Sequence, residues 1–369
     1  MDATPLTVPT GGVPRYTISL ATALAECYPH DQYWLVSDQP FPSAARAPAN
    51  LRSYSSAVSS SPANGLPAPG LTEGKGQRWW LSGLPRKLAQ LGADVFHGTD
   101  FSVPYIPLRP SVMTVSDLSP WLNPSWQPGA QRIRRRTPFL LRSGICTMVI
   151  THSEAIRRAA IAHFQLPPDR VVAVPLAASP NFRPVRGPSA AGTMPYFLYV
   201  GTLEPRKNVA ALIEAWRHVR RTRNVDLVLA GRVREDFPPP DPEQGLRLLG
   251  AVEERDLPEL YSNAAASVYP SLYEGFGLPV LEAMQCGGLV ITSNDPAITE
   301  VTGGASHNAA LHVDAADTKA LAGALAAALR SPTNFDSLRQ RAVARAAEFS
   351  WSRTAHLTRE VYDAARRIF

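Results

Sequence analysis

The chain has 369 residues and a formal net charge of +6, with 45% hydrophobic and 18% charged residues. That length and balance suit two globular domains and exclude a disordered or fibrous polymer. Without an apolar run near the ~18 residues of a membrane span, a signal peptide or a metal-type cysteine pattern, the sequence argues against a spanning segment, secretion and a zinc or disulfide framework. Three widely spaced cysteines (Cys27, Cys146, Cys286) fit a reduced, cytoplasmic protein. A pI near 9.4 favours anionic partners, among them the inner face of a membrane. Nucleic acid is disfavoured, because the positive charge is spread and no nucleic-acid-binding motif is present.

In chain order, the first predicted element is a helix over Tyr16–Cys27, entered through the glycine loop Pro9-Thr-Gly-Gly-Val-Pro14. Amides at such a helix start approach phosphate closely, which makes Gly12 a candidate ligand residue. No hydrophobic strand precedes the loop: Met1–Leu6 is too short and polar for a central buried strand. Either the first strand is abbreviated, or the chain as given starts a few residues late.

Short apolar runs follow at Gln32–Ser37, Ala93–Gly98, Ser111–Asp117, Met148–Ser153 and Val171–Ala177, with a helix over Glu154–Phe164. The polar, proline-containing stretch Ser53–Gly76 reads as a mobile loop. His97 and Asp117 stand at strand ends. His97 is either a sugar ligand or a local hydrogen-bonding residue; Asp117 either touches substrate or caps the next turn. His152 and Glu154, flanking a helix start, read as structural. Arg78-Trp79-Trp80, Arg86-Lys87 and Arg132-Ile-Arg-Arg-Arg136 combine basic and apolar groups, as a contact with anionic lipid requires; the plain alternative is a solvated helix face.

Ser179–Pro184 and the Gly-, Pro- and Ser-rich 185–195 mark an interdomain linker. Beyond it come runs at Tyr196–Gly201, Asp226–Gly231, Leu246–Val252, Ala266–Ser271, Leu289–Ser293 and Ala310–Asp314. Helices are predicted between them at Val209–Val219, Asp256–Asn263 and Thr318–Arg330, and Arg234–Gly245 reads as a loop. Alternation of this kind predicts parallel sheets covered on both faces, here two doubly wound domains with ligand at the strand C-termini.

Two constellations carry the chemistry. In Glu274-Gly-Phe-Gly-Leu-Pro-Val-Leu-Glu282, two carboxylates flank two glycines and a helix-starting proline. Free amides at that helix start form an anion seat between the acids. Glu282 lies in an otherwise apolar helix, and a buried glutamate needs a partner. In Gly201-Thr-Leu-Glu-Pro-Arg-Lys-Asn208, Arg206 and Lys207 sit at a strand-to-helix turn. A guanidinium and an ammonium together neutralise a pyrophosphate. A basic pair in a loop is by itself more often merely solvated; the acid motif further along the same domain decides for the functional reading. No DxD-type carboxylate pair stands ready to hold a divalent ion.

These segments resemble the family-4 retaining glycosyltransferases of the GT-B fold, in their mannosyltransferase-like branch. The resemblance covers nearly the whole chain, through GGVPRYTISLATALAE, FLYVGTLEPRKNVAALIEAW, LLGAVEERDLPELYSNAAASVYPSLYEGFGLPVLEAMQCGG and AALHVDAADTKALAGAL. It implies an α/β fold of two Rossmann-like domains facing a central cleft: an acceptor-side domain over 1–183, a nucleotide-sugar domain over 184–348, and a C-terminal helix over 349–369 returning to the first. It also implies roles. Glu274 meets the transferred sugar; Gly275, Phe276, Gly277 and Leu278 offer amides to sugar and phosphate; Glu282 binds the ribose. Arg206 and Lys207 stabilise the leaving diphosphate, with Gly201 at the start of their loop. Gly12 touches phosphate from the other domain, Val252 lies near the base, and Asp117 belongs to the catalytic loop. Many relatives carry histidine where this chain has Ser116; His97 is the imidazole available to stand in for it.

The resulting expectation is a metal-independent hexosyltransferase, moving mannose from GDP-mannose with retention. Its acceptor would be a glycan or lipid-linked saccharide of surface polysaccharide biosynthesis. A UDP-glucose or UDP-N-acetylglucosamine donor is the alternative within the fold. A two-lobed sugar-binding protein is the non-enzymatic alternative; it calls for a secretion signal and no phosphate-neutralising pair.

Overall fold

The computed structural model describes residues 1–8, 11–42, 47–55, 78–185 and 194–369. Its contacts divide it into two compact units. Met1–His152, Ile156–Val174 and Trp351–Phe369 form the first, and Ser153–Ala155 with Pro175–Ser350 the second. By these contacts the chain passes to the second unit at Val174/Pro175, and the segment ahead of 183/184 packs on that unit. Gln285 Nε2 donates to Ser179 O (2.9 Å) and Phe182 O (2.8 Å), and the Phe182 ring meets Tyr261. The expected mobile loop and linker fall largely on 56–76 and 186–193, outside the described residues, as do Pro9 and Thr10 of the glycine loop.

The first unit holds two parallel sheets. Strand β1 (Tyr33–Ser37) pairs with β2 (Leu51–Ser55); β3 (Phe96–Gly98), β4 (Ser111–Thr114), β5 (Met148–Thr151) and β6 (Val171–Ala173) follow side by side. Every residue of β4 and β5 is buried, as continuous apolar runs in a parallel sheet covered on both faces must be. Helix α1 (Gly12–Cys27) buries Tyr16, Leu20 and Leu24, the i, i+4, i+8 stripe of an amphipathic helix. It packs on the C-terminal helix Trp351–Ile368, where the Tyr28 hydroxyl and His356 Nδ1 share a 2.8 Å hydrogen bond. Helix α2 (Gln131–Arg142) and most of α3 (Glu154–Phe164) also belong to this unit.

The second unit is one six-stranded parallel sheet ordered β12-β11-β10-β7-β8-β9. Its strands are β7 (Tyr196–Val200), β8 (Asp226–Ala230), β9 (Leu246–Gly250), β10 (Ala266–Tyr269), β11 (Val290–Ser293) and β12 (Leu311–Val313). Counted along the chain and read from β9, this is the doubly wound order 3-2-1-4-5-6. The winding reverses between β7 and β10, so ligand chemistry is expected beyond their C-terminal ends. Helix α4 (Val209–Arg220) follows β7 and buries Leu212, Trp216 and Val219. Each such side chain contributes about 1.5–3 kcal/mol of burial energy. Helices α5 (Leu257–Asn263), α6 (Leu278–Gln285) and α7 (Pro296–Thr302) flank the other half of the sheet.

Candidate functional site

The chain leaves β7 through Gly201 (φ +149°) and β8 through Gly231 (φ +156°), conformations that L side chains rarely adopt. A Cβ on Gly231 would lie 1.9 Å from the Gly201 carbonyl oxygen, so glycine there lets the two strand ends touch. Leu203 N donates to Arg232 O (2.9 Å) and Arg234 N to Leu203 O (3.2 Å), which carries the pairing past both strands. A short turn over Pro205–Lys207 follows. Asn208, left-handed at φ +56°, then anchors the entry to α4 by donating Nδ2 to Ala315 O.

Beyond β10 the loop to α6 brings Glu274 to this turn. Lys207 Nζ donates to Glu274 Oε1 at 2.5 Å, and Ser271 Oγ to the same oxygen at 2.8 Å. Arg206 Nη1 reaches Glu274 Oε2 (3.2 Å) and Tyr273 O (3.0 Å). Leu272 N donates to Arg206 O at 2.8 Å, which pins the two loops together. The site therefore lies at the switch point between β7 and β10. Glu274 is only 9% exposed. Burial alone would raise its pKa, but Lys207 and Arg206 outweigh burial and hold it at about 2. Lys207 is pushed down by burial and by Arg206, against the pull of Glu274.

A second layer fixes these groups, and the sequence reading missed it. Glu204 Oε1 lies 2.9 Å from Arg206 Nε, an ion-pair contact outside hydrogen-bond geometry, while Arg234 Nη1 stands 3.5 Å from Glu204 Oε2. Asp295 Oδ1 caps α7, accepting from Ala297 N (2.9 Å) and Ile298 N (3.1 Å); its Oδ2 accepts from Glu274 N (3.1 Å). Burial first, and then the Glu274 charge, raise Asp295 to about 6, although its backbone hydrogen bonds pull the other way. The Asp-Pro pair ahead of α7 was a readable capping signal; its reach to Glu274 was not.

Gly277 (φ +103°) opens α6 with no side-chain cap, the kind of helix start at which a ligand can meet backbone amides. Phe276 stacks edge-on against Phe349, leaving its backbone as the group on offer. Glu282 lies one turn further on, fully buried, with Tyr261 Oη donating to Oε2 at 2.9 Å. The buried glutamate has a partner in a tyrosine of α5. Val252 stands half-buried in the loop after β9.

Gly12 and Asp117 belong to the first unit. Gly12 opens α1. Asp117 Oδ1 accepts from Ser119 N (2.8 Å) and Ser119 Oγ (2.6 Å), which is the capping alternative. His97 is 1% exposed, with Nδ1 bonded to the Tyr362 hydroxyl (2.7 Å) and Nε2 to the Thr114 hydroxyl (2.8 Å). It is a local hydrogen-bonding residue, not a sugar ligand. His152 is buried beside Tyr16 at a ring distance of 4.7 Å.

Residues 10–182 match the family described as Glycosyltransferase Family 4, and residues 185–349 that described as Glycosyl transferases group 1. The chain is 34% identical over 287 residues to the O-antigen chain mannosyltransferase B of Escherichia coli, covering 73% of this chain and 74% of that protein. It is 30% identical over 247 residues to the MMP alpha-(1->4)-mannosyltransferase of Mycolicibacterium hassiacum, covering 64% and 56%. Its fold is similar to that of a sucrose-phosphate synthase from Thermosynechococcus elongatus. The TM-score is 0.72 at 20% identity, over 96% of this chain and 94% of that one.

Proposed function

The chain belongs to the family-4 glycosyltransferases, and on that premise we propose that it transfers mannose from GDP-mannose, with retention at the anomeric carbon. The acceptor in this reading is a glycan or lipid-linked saccharide of surface polysaccharide biosynthesis. The observation that carries it is the convergence of Arg206, Lys207 and Glu274 at the switch point, beside the uncapped start of α6. The diphosphate takes over the two cations that Glu274 holds here. The amides of Gly275, Phe276, Gly277 and Leu278 receive phosphate and sugar oxygens, and Glu274 turns to the sugar hydroxyls. Gly201 lets the loop bend to this place, Val252 lies toward the base, and Gly12 meets phosphate. Arg206 and Lys207 then stabilise charge where it develops as the diphosphate leaves, so the reading calls for no metal.

Retention is what membership of family 4 implies. In that reading the leaving diphosphate takes the acceptor's proton on the face it departs from, and no separate protein base is called for. Mannose draws on the two mannosyltransferase relatives. A UDP-glucose or UDP-N-acetylglucosamine donor would use the same residues.

The first unit supplies a reason to place the acceptor at a membrane face. No helix among the described residues is long and apolar enough to cross a membrane. Yet α2 exposes Arg135, Phe139 (64%) and Arg142, and Leu122 nearby is 54% exposed. Arginines beside bare apolar groups suit an anionic lipid surface. Flotation with anionic vesicles, lost in high salt, checks this part.

The donor test is a thermal-shift panel with GDP, UDP, ADP and their sugars. A ligand at 100 times its Kd stabilises by about 2.7 kcal/mol. GDP and GDP-mannose are expected to raise Tm; a rise with UDP and none with GDP would overturn the mannose reading.

A further inference from the structure

Glu204, between β7 and α4, is 7% exposed, and a carboxylate that deep is costly unless it is paired. Pro205 follows it and keeps its backbone extended, as the residue before a proline prefers. Beyond the touching glycines, Leu203 bridges Val233 in parallel. The next residues on the two segments, Glu204 and Arg234, are therefore brought side by side.

Each carboxylate oxygen of Glu204 meets a different arginine. Oε1 lies 2.9 Å from Arg206 Nε, and Oε2 accepts from Arg234 Nη1 at 3.5 Å. Arg234 is fixed from another side by Asp236: Nη2 donates to Oδ2 at 3.2 Å, and Nε donates to Oδ1. A two-point contact sets the plane of a guanidinium, because its donors form a rigid fork. The charges run in series, Asp236–Arg234–Glu204–Arg206–Glu274, from an exposed aspartate into the candidate site.

The two cations of the site differ in what holds them. Lys207 bonds to Glu274, and Glu204 pulls on it only from further off. Arg206 has Glu204 at Nε, with Glu274 and the Tyr273 carbonyl at Nη1. If Glu274 turns to the sugar, as in the proposed function on which this inference rests, Lys207 loses its bonded partner. Arg206 still keeps a carboxylate on one edge and a carbonyl on the other.

We propose that Glu204 is a positioning residue for the transfer reaction, holding the Arg206 guanidinium in place while the diphosphate binds and departs, with Arg234 and Asp236 as its support. A cation already in place where charge develops needs no rearrangement during the reaction. The negative charge of Glu204 repels a diphosphate, so its benefit passes through Arg206 alone.

A double-mutant cycle of Glu204→Gln with Arg206→Ala tests this. It is read as GDP release from GDP-mannose and UDP release from UDP-glucose, with water as the acceptor. Glutamine keeps the shape, and Arg206 and Arg234 keep Glu274 and Asp236, so Glu204→Gln is expected to fold, which a thermal melt checks. It should lower kcat by about 10- to 10²-fold while donor KM holds or falls, because a repelling charge has gone. In the Arg206→Ala background the same change should alter kcat by less than about twofold. Additive losses, or a raised KM with unchanged kcat, would overturn the inference and leave the proposed function standing. A wild-type kcat in Arg206→Ala would overturn both. Nuclear relaxation at the Arg206 Nε–H needs no turnover: the group should be rigid in the wild type and loosened in Glu204→Gln. Equal order in the two proteins would also overturn the inference.

Discussion

Lys207 Nζ rests 2.5 Å from Glu274 Oε1, joining the turn after β7 to the loop after β10. In the proposed reading the carboxylate stands where the donor's diphosphate would otherwise satisfy the cations. Replacing Glu274 by Gln keeps the shape and removes the negative charge paired with Lys207 and Arg206, the charge proposed to face the sugar. Transfer is expected to fall by about 10²-fold, as for loss of one preorganised polar group. GDP affinity, read by titration calorimetry, should hold or improve, since the diphosphate no longer competes with a carboxylate. Unchanged kcat would remove Glu274 from the chemistry.

The same ion pair makes a stability prediction. Lys207→Met leaves Glu274 with less compensation in a nearly closed site, and removing one partner of a buried pair costs about 3–5 kcal/mol. Adding Glu274→Gln should recover a large part of that loss, because the unpaired charge then disappears. Denaturant titrations of the two single variants and the double variant give the coupling; simple additivity would mean that the contact is energetically idle.

Acidification acts through buried groups of both units. Buried neutral His97 is held near 3, chiefly by desolvation, against an ordinary value of 6.5. The unfolded chain protonates it below 6.5 while the folded chain does not, so stability falls as pH drops through that value, by about 1.4 kcal/mol per unit. Glu274, at about 2 against 4.5, contributes stability that is fully present above 4.5 and lost only below it. Asp100, Asp2 and Asp295, raised by burial to about 7, 6 and 6, bind protons in the folded state and oppose the histidine loss in the upper part of the window. Comparing the wild type with His97→Asn cancels those acids: the stability gap between them should shrink between pH 6.5 and 4.5. A constant gap would show that His97 titrates normally.

The strand–helix alternation and the polar pairs at strand ends were readable because they are local, set by side-chain period and by glycine. Strand β2 was not, because Leu51–Ser55 is a half-exposed edge strand whose polar residues look like the loop that follows. Helix α2 carries Pro138 in its interior, a residue that argues against a helix from sequence alone. Glu282 was correctly read as needing a partner, but Tyr261 is chosen by the packing of α5 on α6, which no local pattern encodes. Glu204 and Asp295 were missed for the same reason: each acts through a contact formed only when separate strand ends meet.

Close approach at those ends gives a steric prediction. At Gly231 an added methyl would overlap a carbonyl, and at Gly277 it would stand 3.3 Å from Ile298 Cγ1; both have positive φ. Gly231→Ala should destabilise by about 3 kcal/mol or more, combining overpacking with backbone strain. Gly277→Ala should cost less, about 1–2 kcal/mol, because only an isoleucine methylene must give way. Thermal melts rank the two; the reverse order would contradict the loop geometry.

Gly12 is the contrasting case, and it separates binding from folding. A Cβ there meets nothing within 4 Å, and its φ is not in the left-handed range. It sits at the start of α1, where alanine is the better helix former by up to about 1 kcal/mol. Gly12→Ala should therefore melt at or slightly above the wild-type temperature. If the Gly12 backbone approaches the donor's phosphates as proposed, the methyl occupies the space the ligand needs, and donor KM should rise about tenfold, or about 1.4 kcal/mol, with the fold intact. A variant with unchanged Tm and unchanged KM would take Gly12 out of the phosphate site and leave donor recognition to the second unit alone.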